Sequence, residues 1–147
     1  MRAGDHLGAR DAPRFVVLVV EDDRDVRSVA VDILEDIGVK TAEAKGVEDA
    51  FAYLNEHAPD VGLIFTDYEF PGRLDGMDLA RVASLRWPWI KVLITSGGAR
   101  VHDVPENVAF LPKPWCAADI RAHVAWERAY AEASHRTGSQ STAHPPG

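Results

Sequence analysis

The sequence holds a single cysteine, Cys116, among 147 residues. An internal disulfide is therefore excluded and a reducing compartment is expected, with Cys116 read as a small buried or half-buried residue. No apolar run approaches the roughly 20 residues needed to span a bilayer. Met1–Arg14 is polar and has no apolar stretch of the kind a secretory signal carries. A cytoplasmic protein without membrane contact is the expectation. Positive charge is short as well: 16 Lys and Arg stand against 23 Asp and Glu, a net charge of −7, with no basic run. That balance argues against a nucleic-acid partner, because phosphates must be neutralised to be bound. The six histidines are scattered without ligand spacing, so a zinc site has no support.

What is present is an ordinary core composition, 46% apolar, with room for one domain. Phe15–Val20 is a continuous apolar run that stops at Glu21-Asp22-Asp23, as a strand buried on both faces would. Val26, Val29, Ala30, Ile33, Leu34 and Ile37 then recur at helical spacing, and Gly38 follows as a stop. Val39–Ala44 reads as a second strand, and Val47, Ala50, Phe51 and Leu54 as a helix that ends before Pro59. A third apolar run, Val61–Thr66, again ends in a carboxylate, Asp67. Asp75 suits the N-cap of a helix carrying Met77, Leu79, Val82 and Ala83, closed by Trp87-Pro88-Trp89. Ile90–Thr95 and Val108–Leu111 complete five strands, and a last helix runs from near Cys116 to about Ser134.

Such alternation predicts an α/β fold with a parallel sheet and helices on both faces. The stretch Gly97–Asn107 has few apolar residues, so a fourth helix there is expected to be short or irregular. The domain is expected over residues 15–134, with a flexible segment at 1–14 and a disordered tail at 135–147.

In an open parallel sheet, ligands sit at the carboxyl ends of the strands. The first strand delivers Glu21, Asp22 and Asp23 there, the third Asp67, the fourth Thr95 and Ser96, and the fifth Lys113. A lone acid after a strand is commonly a helix cap, and Asp23 suits that role. Several carboxylates at one edge repel each other unless a hard cation joins them. Mg²⁺ takes one or two carboxylates, waters and a phosphate oxygen, which suits this set.

The chain resembles a response-regulator receiver domain, the phosphoacceptor half of two-component signalling. Leu18-Val-Val-Glu-Asp-Asp23, Phe65-Thr-Asp67, Pro71-Gly72, Asp75-Gly76, Val92-Leu-Ile-Thr-Ser-Gly97 and Leu111-Pro-Lys-Pro114 carry the resemblance. It implies a flavodoxin-like (βα)5 fold with strand order 2-1-3-4-5. It also implies a switch that accepts a phosphoryl group on Asp67, not an enzyme, though slow self-phosphorylation from small donors and self-dephosphorylation are expected. By that resemblance Glu21, Asp22, Asp67 and the Glu69 backbone carbonyl hold Mg²⁺, and Lys113 pairs with the phosphoryl oxygens through an expected cis Lys113–Pro114 bond. Ser96 is the switch hydroxyl, with Thr95 the competing assignment, and Phe110 the aromatic that turns on activation. Backbone N–H groups near Tyr68 and Gly97 would donate to the phosphoryl group. The implied partners are a sensor histidine kinase or histidine phosphotransfer protein and a downstream protein target.

The loop between Asp67 and Asp75 is one residue longer than in chemotaxis-type members and resembles receivers associated with hybrid kinases. On the last helix, Ala117, Ile120, Val124 and Ala131 form one stripe, expected to face the sheet. Ala122, Trp126, Ala129, Tyr130 and Ala133 form a second, expected as a homodimer or partner surface. The rival functions are a phosphorylation-independent pseudo-receiver and an aspartyl-phosphate phosphohydrolase. The first would normally have lost one of the key acids or Lys113, and all are present. The second needs D-x-D-x-[TV] after its first strand, whereas Asp67 follows the third and is succeeded by Tyr68-Glu69-Phe70-Pro71.

Overall fold

The computed structural model describes residues 14–98 and 104–137. Its strands are β1 (Val16–Val20), β2 (Lys40–Ala44), β3 (Val61–Asp67), β4 (Lys91–Ser96) and β5 (Val108–Pro112). They make one parallel sheet in the order β2-β1-β3-β4-β5. The helices described are α1 (Arg24–Asp36), α2 (Val47–His57), α3 (Gly76–Arg86) and α4 (Ala117–Thr137), with a 3₁₀ turn at Ala58–Asp60. Each parallel pairing needs a crossover, and α1, α2 and α3 lie in the connections from β1 to β2, β2 to β3 and β3 to β4. The architecture is flavodoxin-like, as expected from the sequence.

The three central strands are buried along nearly their whole length, while β2 and β5 are half-exposed at the edges. One core cluster joins Leu18, Val20, Ile64 and Ile94 to Leu54 of α2 and Leu79 of α3. The other joins Val17, Val19, Leu63, Phe65 and Leu93 to Leu34 of α1 and Ile120 and Val124 of α4. Alternate residues of each strand thus serve opposite layers.

Local chemistry sets the helix ends. The Asp23 side chain accepts from the N–H groups of Asp25 and Val26 and caps α1. At its other end Gly38 takes φ +81°, its N–H bonding Glu35 and that of Val39 bonding Leu34, the two bonds of a Schellman stop. Asp75 and Asp78 exchange side-chain-to-backbone bonds at the start of α3.

Two expectations change. Cys116 is exposed, because it precedes α4 and lies within reach of Asp119 Oδ2, which also accepts its N–H. α4 runs to Thr137, three residues beyond the boundary read from the sequence. Among the described residues no helix lies between β4 and β5, and residues 99–103 fall outside them, as do 1–13 and 138–147. No described helix is long and apolar enough to cross a membrane.

Candidate functional site

The chain passes from β1 to its neighbour β2 on one side and later to β3 on the other, so the switch point of the sheet lies between β1 and β3. Glu21 follows β1 and Asp67 ends β3 at that point. Carboxylate oxygens of Glu21, Asp22 and Asp67 all lie within 4.8 Å of one another. Glu21 and Asp67 are buried, and Asp22 is exposed. Lys113, just past β5, holds its Nζ 3.1 Å from each oxygen of Asp67. The Lys113–Pro114 bond is cis, as expected.

Backbone contacts fix this edge. The Glu21 N–H donates to Ala44 O at 3.0 Å, and Arg27 Nη1 donates to Glu21 O at 2.8 Å while its Nε pairs with Glu43. Nothing in the spacing of Arg27 marked it, since it reads as one more exposed helical charge. Thr66 Oγ1 donates to Asp67 O, and Lys113 N–H donates to Ser96 O. Gly76 packs so closely that an added Cβ would run into the Asp67 carbonyl oxygen. Its place in the Asp75-Gly76 pair was visible in the sequence, but the contact that requires glycine was not.

Glu21 is electrostatically perturbed. Burial pushes its carboxyl above the ordinary range, and the Asp67 charge and the Asp22 side chain push the same way. The Asp23 N–H at 2.9 Å and the Lys113 charge oppose them. One lysine beside three carboxylates leaves negative charge in excess at this edge. An all-oxygen donor set with unrelieved negative charge fits a hard divalent cation.

Thr95 pairs with Asp67 across the strands and shares its side of the sheet. Ser96 lies on the other side together with Phe110, which is half-buried against the α2–α3 core cluster. Ser96 is 8% exposed, with its Oγ 3.3 Å from the Gly98 N–H. The Tyr68 N–H donates to Thr95 O at 2.9 Å and extends the β3–β4 ladder. Glu69 is exposed in the following loop, and its carboxylate is not one of the three.

The response regulator receiver domain model matches residues 17–125. The chain belongs to the response regulator receiver domain family. Among receiver relatives, the response regulator receiver protein CpdR of Brucella abortus (strain 2308) is 31% identical over 109 residues, 71% of this chain and 88% of that protein. The sensor kinase CckA of the same organism is 32% identical over 113 residues, 74% of this chain but only 12% of that protein. In three dimensions the receiver domain of the hybrid histidine kinase CckA matches with a TM-score of 0.67 at 31% identity, covering 76% of this chain and 97% of that domain.

The second stripe of α4 is partly covered by the receiver itself. Tyr130 is half-buried with Lys91 Nζ 5.6 Å from its ring centre, and Trp126 is half-buried too, while Ala122 and Ala129 are exposed.

Proposed function

We propose that this receiver domain accepts a phosphoryl group on a carboxylate oxygen of Asp67 from the phosphohistidine of a sensor kinase or phosphotransfer protein. The P–N bond to the imidazole breaks as a P–O bond to Asp67 forms, and the histidine leaves. The carrying observation is the setting of Asp67: one flank is held by Lys113 at 3.1 Å, and the other faces the Glu21–Asp22 pair.

Phosphoryl transfer asks a protein chiefly for positioning and charge neutralisation. Lys113 neutralises the acceptor and is close enough to follow the charge onto the phosphoryl oxygens. Glu21, Asp22, Asp67 and the Glu69 carbonyl would hold Mg²⁺, which supplies Lewis-acid neutralisation of the phosphoryl charge. Ser96 would hydrogen-bond the phosphoryl group, and its shared side of the sheet with Phe110 supports a coupled movement of the two. The new aspartyl phosphate adds charge and strong acceptors at one sheet edge, which biases the adjoining surface between two states and so its protein partner.

The test is intact-protein mass after incubation with Mg²⁺ and a small phosphodonor, or with a phosphohistidine donor. Metal-dependent gain of one phosphoryl mass in wild type, absent in Asp67→Asn, is the expected result. A wild type that gains no mass from either donor would leave a binding-only module in its place.

A further inference from the structure

Among the described residues, Thr95 Oγ1 is the one buried side-chain polar atom left without a hydrogen-bond partner. The residue is 3% exposed. A hydroxyl buried in this way has given up water and received nothing in return, which native cores rarely tolerate. A cavity of about 10 Å³ lies against it, lined by Thr95, Thr66, Glu21 and Asp67 and, on the apolar side, by Phe65 and Trp115. That volume is about the least that holds one water, and such a water needs two to four polar partners. The lining residues can supply them: Thr95 carries a hydroxyl, and Glu21 and Asp67 carry carboxylates.

We propose that this cavity is a built site for one ordered water, which joins the Thr95 hydroxyl to the Glu21 and Asp67 carboxylates and makes Thr95 a positioning residue for them. The water accepts from Thr95 Oγ1–H and donates its two hydrogens to the acids. Glu21 Oε2 accepts from the Asp23 N–H at 2.9 Å. A second hydrogen bond fixes the carboxylate's rotation, as outer partners do for the groups that bind a metal. Valine in place of Thr95 would keep the shape and lose the link. The role in metal binding rests on the reading of the acids as a Mg²⁺ site, and the water itself does not.

Wild type, Thr95→Val and Thr95→Ser separate these parts. In chelator, with no metal present, Thr95→Val is expected to lower the unfolding midpoint by about 2–4 °C, with Thr95→Ser closer to wild type. A midpoint that holds or rises in Thr95→Val overturns the water site, because removing an unpartnered hydroxyl relieves a cost. Calorimetric titration with MgCl2 is expected to show about tenfold weaker binding for Thr95→Val, recovered largely by Thr95→Ser. Equal affinities in wild type and Thr95→Val remove Thr95 from the positioning of the acids. A wild type that takes up no Mg²⁺ instead sinks the metal reading, and the unfolding comparison still decides the water.

Discussion

At the carboxyl ends of β1 and β3, Glu21 and Asp67 are buried beside Lys113, the Asp23 N–H and one another. On α4, His123 and Glu127 are buried to the same degree, 7% exposed each, on the stripe that carries Ile120 and Val124 into the core. The first pair of acids sits at the strand ends beside the exposed Asp22. The second pair of groups lies on the helix stripe of Ile120 and Val124, where Asp119 opposes the burial of His123 and Lys91 that of Glu127. Burial of charge is shared, and access and partners are not. Chemistry belongs where both are supplied, which supports the strand ends as the site proposed above and leaves the helix with a cost.

If that contrast is right, removing a partner should damage function at one place and removing a charge should help stability at the other. The largest effect is expected from Lys113→Ala. Phosphoryl uptake on Asp67 from a small donor should slow about 100-fold, the usual loss when one preorganised donor is withdrawn. Mass spectrometry against time measures it, and an unchanged rate would mean that the 3.1 Å contact is a resting ion pair only.

Next comes Gly76→Ala. The new methyl meets the Asp67 carbonyl, so either α3 or the end of β3 must shift. Overpacking of this kind costs about 1–3 kcal/mol, read from denaturant unfolding. Because the displaced backbone is that of Asp67, phosphoryl uptake should fall as well, whereas an unaltered rate would separate the scaffold from the acceptor. Asp75→Ala is the milder version. It breaks the reciprocal bonds with Asp78 and should cost about 1 kcal/mol, with uptake little changed.

The two regions also differ in how far they could be read from sequence. The strand-end charges announce themselves because each interrupts an apolar run: Glu21 after Val20, Asp67 after Thr66, Lys113 just after Leu111-Pro112. The five strands were legible for the same reason, whereas their order came from the resemblance and not from periodicity. Glu127 was not, because it follows Trp126 and precedes Arg128 and reads as solvent-facing. Yet 120, 124, 127 and 131 share one helical stripe, so its burial was a matter of phase. Tyr130, read as part of the outward stripe, is half-buried with Lys91 at the start of β4 over its ring, a contact the helical spacing does not show. Arg27 and the Thr95 cavity depend on contacts between elements distant in sequence, which periodicity does not encode.

The smallest effect is the sharpest test of the contrast. Burial pushes the Glu127 carboxyl above its ordinary value, with Lys91 opposing. A group held more tightly protonated in the folded than in the unfolded chain makes stability fall as pH rises from the ordinary value near 4.5 toward the folded one. Burial moves His123 the other way, with Asp119 opposing, so its cost comes on acidification below about 6.5. Glu127→Gln removes the first dependence and leaves the second. Its unfolding midpoint should lie above wild type at pH 7, and the two should converge as the pH falls toward 4.5. A Glu127→Gln variant less stable than wild type at pH 7 would mean that attraction to Lys91 outweighs burial. The buried helix charge would then be a partnered group like those at the strand ends, and the distinction between the two regions would rest on access alone.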